Sequence, residues 1–93
     1  MPDDVIRAFL TAALRELRWT AELVECEADL VSSRHRIRVQ VAGGPGKVRY
    51  LPTVLVERAR MGDAFARYLL RAELWRTIQA LHGRAAGRHN RAA

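Results

Sequence analysis

The sequence predicts a small α+β domain of order α-β-β-β-(α)-α, in which helices pack on one face of a three-stranded antiparallel meander. Two neighbouring segments, 24–31 and 34–41, alternate apolar and polar residues with the period of two that is typical of half-buried strands. Segments near both ends repeat apolar residues at helical spacing instead. Because 93 residues leave room for one core, we expect a single domain over 1–83 and a basic C-terminal tail over 84–93.

The first helix is expected over residues 4–18. Asp3 or Asp4 is placed to cap its N-terminus, where a carboxylate also interacts favourably with the helix dipole. Apolar residues then recur every three or four positions, which predicts one face that packs on the sheet. The members of that face are Ile6, Phe9, Leu10, Ala13, Leu14 and Leu17.

The two alternating segments are expected to form a hairpin about the serine pair 32–33. In that register Asp29 lies opposite Arg36 and Glu27 lies opposite Arg38, while apolar residues meet on the other face. A slip of one residue would spoil both faces at once. The arginines of the second strand are therefore expected to be partly neutralised within the chain.

A third strand is expected over residues 47–51. It follows Gly43-Gly44-Pro45-Gly46, which predicts a turn because glycine tolerates positive φ and proline lacks an amide donor. Pairing Val41 with Val48 would place Arg49 on the polar face of the sheet.

Two helices are expected after the sheet. Residues 53–61 mix strand-favouring and helix-favouring residues and are interpreted as a short helix that Gly62 ends. Asp63 can cap a longer helix over 64–82, and Gly83 is a typical C-terminal signal.

The longer helix carries two apolar stripes. The stripe with aromatic bulk, which is expected to pack on the sheet, comprises Phe65, Tyr68, Leu69, Ala72 and Trp75. A helix that is apolar on two sides must bury both. The second stripe is therefore expected either to contact the first helix or to remain exposed as a dimer or partner interface; it comprises Leu70, Leu74, Ile78 and Leu81.

Charge is distributed unevenly along the chain, whose net charge is +6. Residues 1–31 carry three basic and seven acidic side chains, residues 32–62 carry seven and one, and residues 63–93 carry six and two. Such asymmetry indicates an anionic partner for the basic part. A GC-rich bacterial genome offers another explanation, since arginine accounts for all the basic residues except Lys47.

Nucleic acid is the anionic partner that arginine-rich strands favour, because guanidinium groups bind phosphate well. The candidate contacts lie on the second and third strands and in the tail. They are Arg34, Arg36, Arg38, Lys47, Arg49, Arg84, Arg88 and Arg91.

No catalytic motif, cofactor motif or metal-ligand spacing is present in the sequence, so no cofactor, no metal and no enzymatic activity are predicted. A metal-independent ribonuclease toxin built on His35, Arg36, Arg49 and Tyr50 is a minor alternative. No apolar run is long enough to cross a membrane and no signal peptide opens the chain, which predicts a cytoplasmic protein without membrane contact.

Two functions follow from these features. The first is a small non-enzymatic module that contacts nucleic acid or a ribonucleoprotein through its arginine-rich strands and tail. The alternative is a protein-interaction or self-assembling dimeric adaptor, which uses the Leu70–Leu81 stripe and the acidic N-terminal third.

Overall fold

The computed structural model describes the backbone of residues 2–92 and the side chains of residues 4–81. The three strands form one antiparallel sheet of order β1-β2-β3, so the predicted α+β meander is confirmed. The elements are α1 (Pro2–Leu17), β1 (Ala21–Asp29), β2 (Arg34–Val41), β3 (Lys47–Pro52), α2 (Thr53–Arg60) and α3 (Ala64–Ala92).

The core lies between the helices and one face of the sheet. Strands β2 and β3 direct Ile37, Val39 and Leu51 into it, and each of these side chains is almost fully buried. Helix α1 contributes the apolar face predicted from its sequence, with Leu10 and Leu14 fully buried. The opposite face of the sheet carries no helix within the described part of the chain, and we call it the open face.

A β-bulge at Val24 divides β1 into two halves. Leu23 is buried before the bulge, whereas after it Cys26 packs against the core and Glu25 lies on the open face. The extra residue therefore changes which alternate positions of β1 point inward. One guanidinium nitrogen of Arg7 on α1 donates hydrogen bonds to the carbonyl oxygens of Val24, at 3.0 Å, and Leu23, at 3.4 Å.

The predicted register of the β1–β2 hairpin is wrong by two residues. Asp29 pairs with Arg34 and Glu27 pairs with Arg36, in place of the predicted pairs of Asp29 with Arg36 and Glu27 with Arg38. A shift of two residues keeps every side chain on its original face. The predicted arrangement of carboxylates beside arginines therefore persists, with different partners.

The register shifts because the hairpin loop has four residues, 30–33, rather than two. The Asp29 carboxylate accepts hydrogen bonds from the amide of Val31, at 3.1 Å, and from the amide of Ser32, at 3.2 Å. These bonds form the local aspartate turn that competes with further strand pairing. Ser33 then reverses the chain with a φ of 55°.

The predicted pairing of Val41 with Val48 is also wrong, because Val48 lies opposite Arg38. The connection after β2 begins with two consecutive residues of positive φ, which turn the chain earlier than expected. This second shift spans an odd number of residues and therefore exchanges the faces of β3. Arg49 moves to the helix-covered face, and Tyr50 moves to the open face.

The junction between α2 and α3 has the predicted form. Gly62 adopts a φ of 101°, a conformation that favours glycine, and ends α2. The Asp63 carboxylate then accepts a hydrogen bond from the amide of Ala66 at 3.0 Å, which caps α3.

Helix α3 continues past its predicted end at His82 to Ala92. A glycine within a helix costs only about 1 kcal/mol relative to alanine, and the alanines and arginines after Gly83 favour helix. The side chains of the predicted tail, 84–93, lie outside the described residues. In the described part of the chain, no helix has both the length and the hydropathy required to cross a bilayer.

Candidate functional site

The open face of the sheet brings together all three predicted nucleic-acid contacts of β2. Carboxylates of β1 and arginines of β2 alternate across it, and Tyr50 of β3 lies beside them. The field of the arginines is therefore largely offset within the sheet. The charged members are Glu22, Glu25, Glu27 and Asp29 on one strand and Arg34, Arg36 and Arg38 on the next.

Glu25 contacts two of these arginines at once. Its carboxylate lies 2.8 Å from a guanidinium nitrogen of Arg36 and 3.7 Å from Nε of Arg38. The hydrogen bond that Arg36 donates to the Glu25 carboxylate raises the pKa of Arg36 above its ordinary value. Both arginines are held at the sheet surface and are poorly available to an external phosphate.

Arg34 differs from its neighbours on β2. Its guanidinium carbon lies 4.8 Å from the centroid of the Tyr50 ring, within the range of a cation–π contact. Among the described side chains it has no ion pair, although Asp29 is its cross-strand neighbour. Arg34 and Tyr50 therefore offer the one part of the open face where a cation and an aromatic ring are both accessible.

Arg49 does not belong to this surface, contrary to the prediction. It forms an ion pair with Glu73 of α3, on the helix-covered side. Lys47 stands opposite Val39 at the start of β3 and is half-buried. The predicted contacts in the tail, Arg84, Arg88 and Arg91, lie outside the described side chains.

The four residues of the ribonuclease alternative are divided between the two faces of the sheet. Arg36 and Tyr50 lie on the open face, whereas His35 and Arg49 lie on the helix-covered face. His35 is only 4% exposed, and its Nδ1 lies 3.2 Å from the hydroxyl of Thr53. These side chains do not converge on one site. Among the described residues, no group of histidine, cysteine and carboxylate side chains is arranged to hold a metal ion.

The Leu70–Leu81 stripe of α3 is buried in the core of the domain itself. Of its two predicted roles, packing within the domain is therefore observed, whereas an exposed interface is not. Aliphatic side chains fill the narrow space between α1, the sheet and α3 more readily than large aromatic rings. The stripe is at most 6% exposed at any position; its members are Leu70, Leu74, Ile78 and Leu81.

The other apolar stripe of α3 faces away from the sheet, also contrary to prediction. Tyr68 is 68% exposed, Phe65 is 69% exposed and Trp75 is 41% exposed. By the helical period these residues lie on the side of α3 opposite its buried stripe. We call this surface the aromatic face; it comprises Phe65, Tyr68, Leu69, Ala72 and Trp75.

Arginines that are already paired border the aromatic face on both sides. Arg71 lies 3.5 Å from the carboxylate of Glu16 on α1, and Arg76 lies 3.1 Å from that of Glu73. Beyond Leu69, the face continues into an apolar groove of about 330 Å³ between α2 and α3. The groove is lined by Pro52, Val54, Leu55, Arg58, Asp63, Phe65, Ala66 and Leu69.

No protein-family model, curated protein or solved structure matches the chain.

Proposed function

We propose that the protein is an interaction module that binds a protein partner through its aromatic face. The observation that carries this proposal is the exposure of Phe65, Tyr68 and Trp75 on one side of α3. Aromatic residues are enriched at the centres of protein interfaces because they bury large areas with little loss of conformational entropy. A helix that presents a row of them to water has an apolar surface suited to a partner.

The size of the aromatic face is that of an apolar patch with a function. With roughly 200 Å² for each aromatic side chain, the three rings at their observed exposures present roughly 350 Å² to solvent. Contiguous apolar patches of this size are often functional on monomeric proteins. The neighbouring groove between α2 and α3 extends the apolar surface beyond Leu69.

Photo-cross-linking in cells that express the full chain tests this proposal. A benzophenone amino acid in place of Tyr68 should give a discrete protein adduct on irradiation. The same probe in place of Val31, which is 98% exposed on the hairpin loop, serves as the control and should give none. Equal labelling at both positions, or no adduct at position 68, would overturn the proposal.

A second candidate function is nucleic-acid binding through the open face. It is supported by Arg34 and Tyr50. They place a guanidinium group, which forms no ion pair with any described side chain, beside an exposed ring that a base can stack on. The pairing of Arg36 and Arg38 with Glu25 weighs against it. For this reason we rank it below the protein-interaction function.

Titration of a labelled single strand and a short duplex at two salt concentrations tests the second function. Arg34→Gln should weaken binding and flatten its salt dependence by up to about one unit of slope. Arg15→Gln, which removes the same charge from an exposed position on α1, is the matched control. If the unmodified protein does not bind at low salt, the nucleic-acid function is excluded.

A further inference from the structure

We infer that the surface groove between residues 9–16 of α1 and residues 67–71 of α3 binds a small monocarboxylate with an apolar body. We call it the α1–α3 groove. It contains no residue of the aromatic face, so this inference is independent of the proposed function. Three features support it: a gap left by two alanines, a guanidinium group without an ion pair, and a volume suited to a small molecule.

Two alanines of α1 create the gap. The α1 residues that line the groove are spaced three or four positions apart and therefore lie on one side of the helix. They are Phe9, Ala12, Ala13 and Glu16. The phenyl ring and the glutamate border a stretch of about 10 Å along the helix axis, in which neither alanine extends beyond its Cβ atom. The floor of the groove is apolar, since Leu70 of α3, which is only 1% exposed, also lines it.

Arg67 supplies an unsatisfied positive charge to the groove. Its Nε donates a hydrogen bond to the carbonyl oxygen of Ala59 at 3.1 Å, and it forms no ion pair with any described side chain. This bond leaves both Nη groups of Arg67 to donate, and together they form a fork that binds the two oxygens of one carboxylate. Because the bond also holds the side chain in place before a ligand arrives, binding costs less conformational entropy.

The charges that line the groove favour a ligand with one negative charge. Arg71, one turn further along α3 than Arg67, lies 3.5 Å from the Glu16 carboxylate, and both side chains of this pair are more than half exposed. Glu16 therefore offsets one of the two arginines and leaves an excess of one positive charge. A single carboxylate neutralises that excess, whereas Arg67 would repel a cationic ligand.

The volume of the groove indicates a small ligand. It is about 230 Å³, which lies below the range of roughly 300–1,000 Å³ that is typical of sites for drug-sized molecules. With about 30 Å³ for each water molecule, the groove holds the volume of about eight waters, which suits a carboxylate with a chain of about six carbons. A second carboxylate on such a ligand would lie on the apolar floor or beside Glu16, and both positions are unfavourable. The ligand is therefore a monocarboxylate.

Titration of the isotopically labelled full chain with sodium hexanoate, followed by NMR, tests the inference. The amide signals of residues 9–16 and 67–71 should shift and then saturate, with a Kd of about 1 mM or lower. Hexanol and hexylamine keep the apolar chain but lack the carboxylate, so each should bind at least about tenfold more weakly. Sodium chloride at the same concentration controls for ionic strength.

Two pairs of variants locate the site. Ala12→Leu fills the gap and should abolish hexanoate binding, whereas Ala8→Leu adds the same side chain at an exposed position of α1 outside the groove and should not change it. Arg67→Gln should raise the Kd by about tenfold or more, whereas Arg15→Gln removes the same charge from α1 and should have little effect. Arg67→Gln also removes the bond to Ala59, so circular dichroism checks its fold. Ala12→Leu leaves that bond intact and tests the groove separately.

Saturable hexanoate binding that Ala12→Leu abolishes and Arg67→Gln weakens would support the inference. Amide shifts no larger than those caused by sodium chloride would overturn it. Equally tight binding of hexanol would also overturn it, because the groove would then not recognise a carboxylate. Unchanged hexanoate binding in Ala12→Leu would place the site elsewhere on the chain and would reject the α1–α3 groove as the binding site.

Discussion

The guanidinium group of Arg49 on β3 forms an ion pair with the carboxylate of Glu73 on α3. This pair joins the edge of the sheet to the helix that packs over it. Both side chains are mostly shielded from solvent, at 28% and 30% exposure. The same carboxylate also accepts a hydrogen bond from Arg76, which is 69% exposed.

A double-mutant cycle with Arg49→Ala and Glu73→Ala should give a coupling free energy of about 1 kcal/mol, at the upper end for pairs near a surface. Urea unfolding of the four proteins measures it. Arg76→Ala, which removes the more exposed partner of the same carboxylate, should lower the free energy of unfolding by less than about 0.5 kcal/mol. A larger effect of Arg76→Ala than of Arg49→Ala would contradict this ranking.

The position of Arg49 shows where prediction from the sequence ends. Alternation in β2 correctly indicates that Ile37 and Val39 are buried and that Arg36 and Arg38 lie on the other face, since that pattern is a property of the strand alone. The face of β3 depends on its register with β2, which is set by backbone conformations in the connecting turn. No residue pattern within β3 distinguishes the two registers.

The exposure of the aromatic face is not predictable from the sequence for a related reason. The helical period correctly places Leu70 and Tyr68 on different sides of α3, but it does not state which side meets the sheet. That choice depends on the space left between α1 and the sheet, which aliphatic side chains fill. The size of the side chains is the signal that the sequence does contain. A stripe of Leu and Ile is better suited to a tight core between helices and a sheet than a stripe that includes Trp75.

The Asp29 carboxylate should stabilise the hairpin in a pH-dependent manner. The Ser32 side chain, the amides of Ser32 and Val31, and the charge of Arg34 together lower the pKa of Asp29 below its ordinary value of 3.8. Because this pKa is lowered in the folded state, the stabilisation is present above the ordinary value. It is lost as the pH falls through the lowered pKa.

Asp29→Asn should remove this component of the acid sensitivity while retaining an oxygen that accepts the amide hydrogen bonds. The midpoint temperature of thermal unfolding, measured between about pH 5 and about pH 2, should fall less for the variant than for the unmodified protein. Asp29→Ala removes the acceptor as well and should be less stable than Asp29→Asn at both ends of this range. If the midpoint temperatures of all three proteins fell equally with pH, Asp29 would not be the source of this acid sensitivity.

The N-terminus of α3 should depend on the side chain of Asp63. Its carboxylate accepts a hydrogen bond from the amide of Ala66 at 3.0 Å, so Asp63→Ala should lower the free energy of unfolding by about 1 kcal/mol. Asp63→Asn retains an acceptor that is well suited to this position and should have a much smaller effect. Chemical denaturation distinguishes the two variants. Equal losses would indicate that charge, rather than the capping hydrogen bond, is responsible.

Glu25 provides a test of the second candidate function, nucleic-acid binding through the open face. Its carboxylate contacts both Arg36 and Arg38, so Glu25→Gln should release two guanidinium groups on the open face. If nucleic acid binds there, affinity should increase, and the salt dependence should steepen by up to about one unit for each new phosphate contact.

Glu57→Gln is the matched control for this experiment. It removes the same charge and releases Arg60 on α2, away from the open face. Fluorescence anisotropy with a labelled single strand at two salt concentrations should show a clear gain in affinity for Glu25→Gln and a smaller one for Glu57→Gln. Equal gains would mean that net charge alone governs binding. No gain in either variant would exclude Arg36 and Arg38 as phosphate contacts and would leave Arg34 as the candidate contact of the open face.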